Sequence, residues 1–166
     1  MLKVIFLFCF VCIAISLQAD IRDYTKDSLY PCVQCLCHAR TGCWRRRNCA
    51  MYSISRDYWT RAGSLVVSPS DSQLSDGGYD KCMRDENCIV GTIIEYTKSW
   101  GEMDCNCDGS FNCKDLAAIH LFGRKCERPM FGSVYASRFN HCANRIGVSD
   151  MLTQEGGDLC TVPDAQ

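Results

Sequence analysis

The stretch from Cys35 to Cys49, CLCHARTGCWRRRNC, carries four cysteines and four arginines but no Asp or Glu. The acid-free run extends from Pro31 to Arg56 and holds Arg40, Arg45, Arg46, Arg47 and Arg56 beside His38. Guanidinium groups keep their proton at any physiological pH, so this segment can bind anions but cannot supply a general acid. Trp44 and Trp59 offer rings that can stack on sugar faces, although Trp59 also suits a core. The competing reading is a solvated charged loop.

A second cluster, DCNCDGSFNCKD, runs from Asp104 to Asp115. Asp104, Asn106 and Asp108 fall at positions 1, 3 and 5 of an oxygen-ligand loop, with Gly109 at its sharp turn. Ser110, Asn112 and Asp115 would complete the shell of a calcium ion. Two features count against calcium. Cys105, Cys107 and Cys113 interleave the ligands, so disulfides can fix the same turn, and Asp at the last position reaches less far than Glu. Zinc is disfavoured, because Cys-x-Cys spacing suits it poorly and secreted thiols are oxidised. No cofactor is required on this reading.

The elements that must position these groups belong to one domain of a 166-residue chain. Residues 1–19 have the charge, apolar run and small residues of a secretory signal peptide. Two of the 15 cysteines, Cys9 and Cys12, lie in it, leaving thirteen for a disulfide framework in an oxidising compartment. An odd total predicts one unpaired cysteine. The expected location is extracellular, with no membrane span, no nucleic acid and an open oligomeric state. The net charge of −1 excludes little by itself.

Residues 20–30 form an irregular lead-in and 31–142 the domain, followed by a polar tail over 143–166. Periodicity predicts a short helix over Cys49–Trp59 burying Met51, Ile54 and Tyr58, and a Ser/Gly/Pro-rich loop over Gly63–Gly78. A long helix is predicted over Tyr79–Trp100, a second over Cys113–Gly123 stopping at Gly123, and a third over Phe131–Cys142.

The segments CVQCLCHARTGC, YWTRAG, CMRDENCIVGTIIEYTKSWG, DCNCDGSFNCKDLAAIH and VYASRFNHC follow one another in the order and spacing of invertebrate-type (i-type, destabilase) lysozymes. The resemblance spans about Cys32 to Cys142 and has an insect-like cast. It implies a mainly α (α+β lysozyme-like), small disulfide-rich secreted domain with local bridges Cys37–Cys43 and Cys82–Cys88. It also implies hydrolysis of β-1,4 links in bacterial peptidoglycan, in defence or digestion. Such hydrolysis uses two carboxylates. Where active members carry the acid, three residues before the cysteine of an ESGC segment, this chain reads RTGC and has Arg40. The hairpin that bears the second acid is reduced or deleted, because Cys49 runs straight into AMYSISRDYW. Asp57 is then the nearest carboxylate and a weak catalytic candidate, with Glu95 more distant. Two positions where the family often bonds a cysteine pair are Ala62 and Thr92, while Cys107 and Cys160 look additional. Isopeptidase activity, described for some members, would need His120 as base for Ser53 or Ser55, and nothing in the sequence supports that pairing.

The expected function is therefore a secreted i-type lysozyme homologue that is non-catalytic or weakly active. It would bind peptidoglycan or another bacterial-surface glycan through Arg40, Trp44, Arg45, Arg46, Arg47 and Trp59. The alternatives are an active muramidase with non-standard acids and a non-enzymatic cationic antimicrobial or binding module.

Overall fold

The structure, a computed structural model, describes residues 21–42, 54–127, 129–149 and 151–152. The signal peptide and most of the tail lie outside the described residues, as do Cys43, Trp44, Arg45, Arg46, Arg47 and Cys49. Every regular element among the described residues is helical. A 3-10 turn at Tyr24–Lys26 leads into α1 (Tyr30–Thr41), α2 (Arg56–Arg61), α3 (Asp76–Cys82), α4 (Glu86–Lys98) and α5 (Cys113–Phe122). A second 3-10 turn, Gly123–Lys125, and α6 (Ser133–Ile146) follow.

The helix α1 is the centre of the molecule. Pro31 sits in its first turn, where the missing N–H costs nothing. Cys32, Val33, Cys35, Leu36, Cys37, His38 and Ala39 are all buried, so the helix is enclosed on most sides. It ends at Gly42, whose φ of 72° lets its N–H reach the His38 carbonyl. No helix is expected here from periodicity, because a helix buried nearly all round shows no polar stripe.

Two bridges bind α1 to its neighbours. Cys32 bonds Cys113 at the start of α5, and Cys35 bonds Cys142 in α6. The α1–α6 contact is the most extensive between any two helices. Asn140 of α6 straps the chain that follows, donating to the Leu152 carbonyl at 2.8 Å and accepting from its N–H at 2.7 Å. The third helix predicted from sequence thus runs one turn further, to Ile146, and closes at Gly147.

The long helix expected over Tyr79–Trp100 is two helices. Asp85 breaks it by capping α4, its carboxylate accepting from Cys88 N–H at 2.8 Å. The Cys82–Cys88 bridge requires the break. Its Cα atoms are 5.2 Å apart, whereas six residues of continuous α-helix rise about 9 Å, beyond disulfide reach. The loop expected to Gly78 ends earlier, since Ser75 caps α3 by accepting from Gly78 N–H. Gly78 is demanded there, because a Cβ would lie 2.1 Å from the Ser72 carbonyl oxygen. The helix expected over Cys49–Trp59 begins at Arg56, capped by Ser55, and Met51 lies outside the described residues. Gly91 of α4 lets the Tyr24 ring lie against the helix; a Cβ would come within 2.5 Å of that ring.

The bridges differ in the chain they enclose, from 6 residues for Cys82–Cys88 to 107 for Cys35–Cys142. Loop-closure entropy gives about 2 kcal/mol for the first and about 4 to 5 kcal/mol for the second. Replacing Cys35 and Cys142 together by Ala is expected to cost at least twice the unfolding free energy lost on replacing Cys82 and Cys88. Urea unfolding of the two double variants measures this, and equal losses would contradict it.

Candidate functional site

Helices α2, α4 and α5 bring one set of rings together. Tyr58 of α2 stacks on Tyr96 of α4, with ring centroids 3.5 Å apart and planes within 13°. Tyr96 meets Trp100 one turn later, edge to face, at 6.0 Å. The guanidinium of Arg61 covers Trp100 at 4.1 Å, a cation–π contact. The Tyr58 hydroxyl lies 3.1 Å from His120 Nδ1 on α5. Burial raises the Tyr58 phenol pKa well above its ordinary value, with Tyr96 and Tyr135 adding to the effect. Tyr58 therefore remains a hydroxyl able to donate to His120.

On the α6 side Tyr135 stacks on Phe131 at 6.1 Å. Burial raises its phenol pKa too, and the charge of Arg40 on α1 opposes that rise. Arg40 is exposed in the last turn of α1. Arg138 of α6 points its guanidinium at the same helix end, about 3.5 Å from where a Cβ on Gly42 would sit. Two cations thus stand beside the α1 carbonyl end, where the helix dipole favours them. The buried Trp100 Nε1 and Tyr135 hydroxyl have no hydrogen-bond partner among the described residues. Aromatic faces, phenols and guanidinium groups can bind a sugar or an anion. None of these side chains is a carboxylate.

The remaining residues singled out in the sequence are placed elsewhere. Trp59 is fully buried and its indole N–H donates to the Leu65 carbonyl at 2.7 Å. It is a core residue, and the expectation that it stacks on substrate is corrected: its neighbours close both faces. Asp57 is exposed in the first turn of α2. Glu95 is held by ion pairs to Arg22 at 3.3 Å and Lys98 at 3.5 Å. Ser55 is occupied as the α2 cap, accepting from Tyr58 N–H at 3.1 Å. Sequence reasoning missed Tyr96, Trp100 and Tyr135 as candidate site residues; the only local signal is that Tyr96 and Trp100 lie one helical turn apart, and it does not connect them to Tyr58 or Tyr135.

The Asp104–Asp115 loop is knit by its own amides. Asp104 accepts from the N–H groups of Asp108 and Gly109, at 3.2 and 2.8 Å. Asp108 accepts from Ser110 N–H and hydroxyl and from the side-chain amides of Asn106 and Asn112. Asp115 is fully buried and faces inward. Its two oxygens accept from Cys105 N–H at 2.7 Å and Asn112 N–H at 2.8 Å, the latter half of a capping box that starts α5. Asp115, the last of the six expected ligands, is thus turned into the protein, with both oxygens already accepting N–H groups. Among the described residues no group of three or more His, Cys, Asp or Glu side chains is placed to hold a metal. The thiols considered for zinc are consumed: Cys105 bonds Cys126, Cys35 bonds Cys142, and Cys37 and Cys107 are disulfide-bonded as well.

Fold and cysteine frame define a small, mainly helical, disulfide-rich domain. The model of the destabilase family matches residues 30–142, and the chain belongs to that family, the i-type lysozymes. No curated protein and no solved structure matches the chain. Family membership supports a lysozyme-like glycosidase or defence function, with peptidoglycan as the class of substrate. No described helix is long and apolar enough to cross a membrane.

The loop supplies a test by pH. Hydrogen bonds from Asn106 and Ser110 lower the Asp108 carboxyl from 3.8 to about 2. A depressed carboxyl stabilises the fold above its unfolded pKa and loses that contribution as the pH falls through its folded pKa. The stability of the protein is therefore expected to decline between about pH 4 and about pH 2. Asp108→Asn should flatten that part of the profile, as read by unfolding midpoints across the range. An unchanged slope would contradict the hydrogen-bond network around Asp108.

Proposed function

We propose that this destabilase-family domain binds bacterial cell-wall glycan and has lost, or nearly lost, the acid–base chemistry that would cleave it. One observation carries the reading: an exposed arginine, Arg40, ends α1 where the resemblance puts the general acid of active members. Cleavage of a glycosidic bond needs two carboxylates about 5 to 9.5 Å apart, one of them protonated. A guanidinium supplies neither a transferable proton nor a nucleophile. Glu95 is committed to Arg22 and Lys98. Asp57 remains, adjacent in sequence to the site tyrosine Tyr58, and supports the second reading, a weak muramidase with a non-standard acid.

The binding reading draws on the rings of Tyr96 and Trp100, the cations Arg40 and Arg138, and the Arg45–Arg47 run next in the sequence. Cell-wall polymers carry phosphate and carboxylate charge, so attraction to such a surface weakens with salt. Secretion, expected from residues 1–19, would bring the domain to that target.

Insoluble peptidoglycan distinguishes the readings when sedimentation and turbidity are followed together. The protein is expected to sediment with the walls, to be released by salt, and to leave turbidity unchanged. Arg40→Ala should weaken sedimentation about two- to fivefold, the effect of one exposed charge contact. Clearing of the walls that disappears in Asp57→Ala would replace binding without cleavage by the muramidase reading.

A further inference from the structure

The end of α5 and the approach to α6 form an apolar knob. Leu121, Phe122, Met130 and Val134 are all solvent-exposed, Met130 to 72% and Val134 to 60%. These are the largest exposed apolar side chains of the described residues apart from Leu74 and Ile146. The knob is backed by the core. The Phe122 ring lies 6.0 Å from buried Phe131, which in turn stacks on Tyr135. It is also held in place, because Cys126, next to the 3-10 turn Gly123–Lys125, is bonded to Cys105.

That turn, which Phe122 caps, carries Arg124 and Lys125, both exposed, two and three residues after Phe122 in the chain. Neither is in an ion pair with a described carboxylate. From Leu116 to Ser149 the sequence has one acidic residue, Glu127, against Arg124, Lys125, Arg128, Arg138 and Arg145. Four apolar side chains are too few for a stable protein interface of about 1,000 Å². They suit the boundary of a bilayer, where short apolar groups enter the acyl region and neighbouring cations meet the headgroups.

We propose that this knob docks the domain on anionic lipid bilayers. Phe122, Met130 and Val134 enter the interface, and Arg124 and Lys125 lie on the headgroup phosphates. The docking does not depend on glycan recognition, and pure lipid vesicles separate the two.

The full secreted chain, with its disulfides intact, is sedimented with vesicles of phosphatidylcholine alone or mixed with phosphatidylglycerol. Binding is expected to the mixed vesicles and not to phosphatidylcholine alone. Arg124→Gln with Lys125→Gln should lower it about 20-fold, near fivefold for each charge. Met130→Ser with Val134→Ser should lower it about tenfold or more. Thermal melts check that these surface variants stay folded. Lys26→Gln with Arg84→Gln, which removes two cations elsewhere, should bind as the parent does. An equal loss in that control, or full binding by the apolar variant, would overturn the proposal. So would a concentration-dependent dimer that the apolar variant abolishes without changing vesicle binding, which would assign the knob to a second copy of the chain.

Discussion

The central helix α1 is held from two sides by covalent bonds, and the rest of the domain is arranged by that constraint. Cys32 and Cys35 are three residues apart, so they leave the helix on adjoining parts of its surface. One reaches α5 and the other α6. These links join positions 81 and 107 residues apart in sequence, and so remove much of the freedom of the unfolded chain. They also fix where the ends of α1 lie relative to α5 and α6. Arg40 and Tyr135 are borne by the two helices that the Cys35–Cys142 bond joins, and their proximity follows from it.

A domain of this size buries a modest core, and its polar chemistry is used to terminate helices. Ser55, Ser75, Asp85 and Asn112 each accept a backbone N–H at a helix start, and Gly42 and Gly147 close helices with positive φ. Asp115 shows how one residue can satisfy two roles at once. As the N3 residue of a capping box it must face the backbone of Asn112, and its second oxygen ties Cys105. Both oxygens then accept from N–H groups. The loop's resemblance to a cation-binding pattern and its actual hydrogen bonding use the same residues, because a ring of inward amide donors and a cation both stabilise clustered carboxylates.

This explains how much was legible in the sequence. Helices with a polar stripe or clear terminators, α5 and α6, were located to within a turn. Helix α1 was invisible because its cysteines, Val33, Leu36 and Ala39 leave little polar face to produce a period. The division of α3 from α4 was concealed by continuous apolar spacing, yet it is implied by the Cys82–Cys88 pairing, since the bridge and an unbroken helix are geometrically exclusive. At the site, Arg40 was found by its position in the cysteine frame. Tyr96, Trp100 and Tyr135 come from two helices distant in sequence, and their assembly around Tyr58 depends on packing that no local pattern encodes. Trp59 was ambiguous because a large ring beside a cluster of cations suits both a binding surface and a core; the Leu65 carbonyl, by accepting its N–H, makes burial inexpensive.

The local field at Arg40 bears on why a scaffold can keep its bonds while its chemistry changes. Arg40 lies in the last turn of α1, where unsatisfied carbonyls carry the negative end of the helix dipole. A carboxylate there, as the resemblance implies for active members, would face that negative end, which costs stability. An arginine at the same place reverses the sign, and the dipole stabilises it by about 0.3 to 1 kcal/mol. Arg138 at the same helix end adds a second cation, which would have attracted a carboxylate but is merely tolerated beside Arg40 because both are open to solvent. On the proposed reading of binding without cleavage, the helix end itself favours the basic residue. The bonds from Cys32 and Cys35 to α5 and α6 do not depend on the charge at residue 40.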